Sequence, residues 1–232
     1  MAAPYTRPTA ILFDMDGVLV DSEQYWYESR VEWAASLGKA WTMGDQRHAM
    51  GRNTLEWAAV MRERLALGDA FTHEAIAEAV RSRVIARLHA RLPLLPGAVE
   101  AVHAAAEAGP VALASGSPTA VIETVMALSG LDQVFQVMVF GDTIAHGKPA
   151  PDIYLEAARR LGAEPASCVG IEDSGNGLRS LVNAGMGAIA VPSPGFPLAP
   201  DVLALADRVL ASLTAFTPAL AADIAAERAA RG

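Results

Sequence analysis

Apolar residues recur along this chain in two rhythms, and the change between them divides it. From Leu92 onward, short apolar runs, VALAS (111–115), VMVF (137–140), CVGIED (168–173) and GAIAV (187–191), alternate with stretches of helical spacing near 97–108, 118–129, 151–161 and 175–184. Short solid runs fit strands buried on both faces, and their alternation with helices predicts a parallel sheet. A further strand, TAILF from Thr9 to Phe13, lies near the N-terminus between Pro8 and Gly17. Residues 21–91 break the rhythm: they read as helices only, near 22–37, 45–50, 53–67 and 72–90, and Pro93 and Pro96 mark the return. The predicted architecture is α/β, with a core formed by residues 1–20 and 92–232 and a helical module, residues 21–91, inserted after the first strand. Residues 212–231, rich in alanine, predict a terminal helix on the core.

Charge follows the same division. Residues 21–91 hold ten acids and ten bases, so the rest of the 232-residue chain carries its entire net charge of −8. No basic stripe is available for nucleic acid or an anionic membrane, and both are excluded as expected partners. A single cysteine, Cys168, precludes an internal disulfide, and the N-terminus shows neither a charged n-region nor a long apolar h-region. No apolar stretch approaches the length of a membrane span. A soluble, cytoplasmic, monomeric protein is expected.

Candidate chemistry collects where the predicted strands end. The segment FDMDGVLVDSE places Asp14 and Asp16 two residues apart just beyond the first strand, where extended geometry would turn both carboxylates the same way. Ser115 closes VALAS, and Glu172 with Asp173 closes the CVGI strand. Ligands of open α/β sheets bind beyond the carboxyl ends of the strands, so these groups are expected to converge. Four carboxylates around one point call for a cation, and an all-oxygen set favours magnesium over zinc. Ser115, Gly116 and Ser117 precede a helix and offer a hydroxyl and backbone N–H groups to an anion. Lys148 in HGKPAPDIY is one of only two lysines beside sixteen arginines. A metal site, a carboxylate nucleophile, an anion-binding turn and a lysine are the parts of phosphoryl transfer.

Four short motifs in this order, DMDGV (14–18), ASGS (114–117), GKPAPDIY (147–154) and GIEDSGNG (170–177), are together specific. Through them the chain resembles the haloacid dehalogenase superfamily, in particular its phosphatases with a helical cap inserted after the first strand. The resemblance implies a Rossmann-like core with a cap domain, and an aspartyl phosphate formed on Asp14. It implies that Asp16 is the acid and base, that Ser115 and Lys148 hold the phosphoryl group, and that Mg2+ is bound by Asp14, Asp173 and the Asp16 backbone carbonyl, with Glu172 beside it. The implied partner is a small phosphorylated metabolite such as a sugar or sugar-alcohol phosphate.

Within the insert, Trp26, Arg52 and Asn53 are expected to meet substrate, the last two in MGRNTLEW, which starts a helix where related caps reach the active site. Trp57 is expected to pack. A mutase resembling beta-phosphoglucomutase is the alternative activity; mutase-type relatives carry a histidine ten residues beyond the acid/base aspartate, and here that position is Trp26. A binding protein on a disabled scaffold is the third reading, weakened by the presence of every motif residue. Asp142 and His146 read as loop residues, the former as a turn or helix cap.

Overall fold

A computed structural model describes residues 10–50, 52–193 and 197–231. Six parallel strands stand in the order β3-β2-β1-β4-β5-β6: β1 Ala10–Phe13, β2 Val111–Ser115, β3 Val137–Phe140, β4 Cys168–Glu172, β5 Gly187–Ala190 and β6 Arg208–Val209. Thr9, the expected first residue of β1, lies outside the described residues. Sequence pattern anticipates five of the six strands; β6 has two residues, too few to establish any period. The chain order reverses at β1, which has β2 on one side and β4 on the other. That arrangement opens a crevice at the carboxyl ends of these three strands.

The two faces of the sheet differ in side-chain size. Ile11, Phe13, Val111, Leu113, Val169, Ile171 and Ile189 point into a core with α5 (Ala98–Ala108), α6 (Thr119–Ser129) and α10 (Pro218–Ala229). Their alternates, Ala10, Leu12, Ala112, Ala114, Cys168, Ala188 and Ala190, face α7 (Asp152–Leu161) and α8 (Gly175–Asn183). Small residues let α7 and α8 approach closely, which brings their N-terminal ends over the strand termini.

Between β1 and β2 the chain forms α1 (Glu23–Ser36), α2 (Met43–Ala49), α3 (Thr54–Arg64) and α4 (His73–Ala90) before α5. Capping boxes start two of these: Thr42 with Asp45 for α2, and Asn53 with Glu56 for α3. Trp33, Trp41, Trp57, Met61, Ile76, Val80, Val84 and Leu88 fill their interior, continuous with the larger-residue side of the sheet core. Departure and return run side by side, since Leu95 N–H donates to Leu19 O and Asp21 N–H to Pro93 O, each at 2.9 Å. A short α9 (Pro200–Leu203) precedes β6. No helix among the described residues is long and apolar enough to cross a membrane.

Close approach on the alanine face is tightest at Gly170, where an added Cβ would stand 2.1 Å from Leu181 Cδ2. Gly170→Ala therefore drives a methyl into the buried Leu181 side chain, which must repack, and should cost about 1–3 kcal/mol. Chemical denaturation of the variant should show that loss as a lowered midpoint.

Candidate active site

The turn after β1 sets the geometry. Asp14 N–H still bonds to Ile171 O at 3.1 Å, extending the ladder one residue past the strand. The chain then folds back, with Leu19 and Val20 N–H both donating to Met15 O. Gly17 makes this possible: its φ is +80°, and a Cβ there would lie 1.9 Å from Asp173 Oδ2. Asp14 and Asp16 consequently line the same cavity, of about 60 Å³, but meet different partners.

Asp14 belongs to a buried ionic cluster. Lys148 Nζ donates to Asp14 Oδ1 at 2.8 Å, to Glu172 Oε1 at 2.6 Å and to Ala114 O at 3.2 Å, which fixes it against the ends of β1, β2 and β4. Tyr154, from the first turn of α7, donates its hydroxyl to Glu172 Oε1 at 2.7 Å, and its ring lies beneath the ammonium. Glu172 Oε2 receives the backbone N–H groups of Asp173 and Ser174 and the Ser174 hydroxyl. Gly177 leaves the space for that carboxylate, because a Cβ there would stand 1.8 Å from Glu172 Cδ.

Asp14, Glu172 and Asp173 each place a carboxylate oxygen within 4.8 Å of the other two. One ammonium cannot balance three such anions. Burial pulls Lys148 down, but Asp14 and Glu172 outweigh it and hold the ammonium above its ordinary pKa. Burial, with Glu172 and Asp16 adding to it against the pull of Lys148, raises Asp14. Burial, Glu172 and Asp14 raise Asp173 well above the carboxylate range. The Asp173 side chain accepts no hydrogen bond among the described residues, yet it is buried and lines the cavity. A buried carboxylate without a protein donor, in an all-oxygen cluster short of positive charge, fits a hard divalent cation. Glu172 has both oxygens engaged and serves chiefly to hold Lys148 and the turn.

The Asp16 side chain is not part of this group, so the expectation of four converging carboxylates holds for three. It turns toward the helical insert instead. Oδ1 receives the Ser22 hydroxyl and the Trp26 Nε1–H, the latter at 3.2 Å; Oδ2 receives the hydroxyls of Ser117 at 2.6 Å and Ser115 at 3.3 Å. Ser115 is fully buried, accepts from Ser117 N–H and does not itself line the cavity, whereas Gly116 and Ser117 do.

Among the expected contacts in the insert, Trp26 and Arg52 line the cavity and Asn53 does not. The Asn53 Oδ1 accepts Glu56 N–H at 2.9 Å and is used as the cap of α3. Trp57 both packs edge-on against Trp26 and lines the cavity. Sequence reasoning missed Tyr154, Ser22, Glu23 and Arg30; Tyr154 ends GKPAPDIY and Ser22 with Glu23 ends FDMDGVLVDSE, so those segments could have signalled them, whereas Arg30 lies in no such segment. Burial, with Asp16 nearby, raises Glu23 to about 7, while Arg30 and Gln46 oppose the shift. Asp142 accepts Thr119 N–H and its hydroxyl at the start of α6, and His146 is an exposed partner of Asp152.

The model of the haloacid dehalogenase-like hydrolases matches residues 8–185. The chain belongs to that family. Hexitol phosphatase B of Escherichia coli K12 is 34% identical over 217 residues, spanning 90% of this chain and 94% of the relative. CbbY from Rhodobacter sphaeroides, solved in complex with phosphate, shares 30% identity at a TM-score of 0.79 and covers 89% of this chain and 95% of its own. Beta-phosphoglucomutase from Clostridium difficile, at 22% identity and a TM-score of 0.83 over 96% of this chain and 99% of that one, is alike in fold. The chain is a phosphoric monoester hydrolase of the helical-cap branch.

Because an ion would bind the folded cluster and not the unfolded chain, a divalent cation should raise the melting temperature. At a concentration 100-fold above Kd the gain is about 2.7 kcal/mol. Differential scanning fluorimetry should show the rise in the wild type and little of it in Asp173→Asn.

Proposed function

We propose that this chain hydrolyses a sugar or sugar-alcohol phosphate, with Mg2+, through an aspartyl phosphate on Asp14. The observation that carries this reading is the pair of carboxylates on one cavity. Asp14 is oriented by Lys148, and Asp16 is held apart by the Ser22 hydroxyl and Trp26 indole of the insert and the Ser115 and Ser117 hydroxyls at the end of β2. Resemblance to hexitol phosphatase B over most of both chains supports the substrate class. Residues 21–91 act as the cap and residues 1–20 with 92–232 as the catalytic core; the paired backbone bonds at Leu19–Leu95 and Asp21–Pro93 support placing the hinge there.

In the first half-reaction a carboxylate oxygen of Asp14 attacks phosphorus, and the bond to the leaving alcohol breaks as Asp16 gives that oxygen a proton. In the second, Asp16 takes a proton from water, whose oxygen attacks the same phosphorus and returns Asp14 to carboxylate. Lys148 holds Asp14 in line and adds positive charge beside the transferring group, while Ser117 and the backbone at Gly116 face it from the end of β2. Asp14, Asp173 and the Asp16 backbone carbonyl would hold the Mg2+, which would supply the positive charge that lets a phosphate dianion approach these carboxylates.

Asp16 must alternate between acid and base. The hydroxyls of Ser22 and Ser117 can rotate to accept a proton from it, but the Trp26 indole can only donate. Trp26 also stands where mutase-type relatives carry a histidine, which supports hydrolysis over the mutase alternative.

The reading is tested by supplying hexitol 6-phosphate, and separately beta-glucose 1-phosphate with a trace of glucose 1,6-bisphosphate, and following products by phosphorus NMR. Steady inorganic phosphate from both is expected, falling by roughly 10³-fold or more in a folded Asp14→Asn. Rapid glucose 6-phosphate with little free phosphate would make the protein a mutase.

A further inference from the structure

A buried guanidinium stands on the cap side of the cavity, and nothing in the phosphoryl-transfer scheme uses it. Arg30, from α1, is 4% exposed and lies between two indoles, with its Cζ 5.1 Å from the Trp26 ring centre and 4.9 Å from that of Trp57. Its Nη1 donates to Gln46 Oε1 at 3.0 Å, and the same oxygen receives Trp41 Nε1–H at 3.1 Å. The enclosed Nε–H has no partner among the described residues, and neither does Nη2 on the cavity side. Glu23, about two turns earlier on α1, also lines the cavity, and among the described residues its carboxylate accepts only a long bond, 3.4 Å, from Gln46 Nε2. Burying an arginine with an open donor is costly, and packing alone would be served as well by an apolar side chain.

We propose that Arg30 and Glu23 form the specificity subsite for the leaving group and read a neutral polyol by its hydroxyls. Each hydroxyl both donates and accepts, and the subsite presents the complement: the Arg30 guanidinium donates to one oxygen through Nη2, and the Glu23 carboxylate accepts from an adjacent O–H. Gln46 fixes both side chains from behind, and the indoles of Trp26 and Trp57 wall the sides. The charge pattern sets the class. Arg30 already faces Glu23 and Asp16, so no uncompensated positive charge is left there for a second phosphate or a carboxylate. Arg52, the other cation on this side, is exposed, and its Nε–H is bonded to His48 O.

The substrate class rests on the phosphatase reading above, but the subsite can be tested apart from it. The first measurement is the ratio of kcat/KM for hexitol 6-phosphate to that for phenyl phosphate, which lacks hydroxyls. In Arg30→Met the ratio should fall roughly 10- to 100-fold, the worth of a hydrogen bond to a charged group. Arg30→Lys, which keeps a cation between the indoles but loses the planar guanidinium fork, should move it the same way. It carries the test should the methionine variant fail to fold. A purely structural Arg30 would lower both substrates together and leave the ratio unmoved, which overturns the proposal. The second measurement needs no turnover: free sorbitol, titrated with inorganic phosphate present, should change tryptophan emission saturably in the wild type and not in either variant. No response in the wild type, or an equal response in the variants, overturns the subsite. Absence of all phosphatase activity with the sorbitol response intact overturns the catalytic reading alone.

Discussion

One ammonium among three buried carboxylates governs this structure. Lys148 reaches Asp14 across 134 positions of sequence and Glu172 across 24, and it also holds the carbonyl at the end of β2. These contacts exist only because the sheet order sets β1 between β2 and β4 and because the alanine face lets α7 bring Tyr154 beneath the same groups. The two glycines that tolerate the crowding, Gly17 and Gly177, sit where any side chain would strike a carboxylate of the cluster. Positive charge is still short by two, and that deficit makes the site receptive to a divalent cation and, through it, to a phosphate.

The second carboxylate of the DMD segment is governed by the insert instead. Asp16 is bound by Ser22 and Trp26 at the start of α1 and by Ser115 and Ser117 at the end of β2, so its surroundings depend on cap and core together. Movement of the insert about the paired segments near Leu19 and Leu95 would alter the donors around Asp16 while leaving Asp14 and Lys148 in place. Asp14 and Asp16 thus depend on different parts of the fold.

Much of this was legible in the sequence because it is written in local patterns. Solid apolar runs marked five strands, and their polar ends marked Asp14, Ser115, Glu172 and Asp173. Other features depend on what folding brings together. The two-residue β6 carries no period of its own. The outward turn of Asp16 follows from the Met15–Val20 fold-back, which an extended reading of the segment overlooks. Asn53 stands in the motif expected to meet substrate, yet its position three residues before Glu56 makes it a helix cap. Arg30 and Glu23 look like ordinary charges on a helix face; only the packing of Trp26, Trp57 and Gln46 around them shows that they are enclosed.

The central claim is that Asp14, oriented by Lys148, is the nucleophile that takes the phosphoryl group. Its most direct test is to quench turnover of a sugar phosphate with acid, reduce the protein with borohydride, and map the peptides by mass spectrometry. An acyl phosphate at position 14 would be reduced to homoserine there and nowhere else. Unmodified Asp14 under conditions of steady turnover, or homoserine at another aspartate, would contradict it.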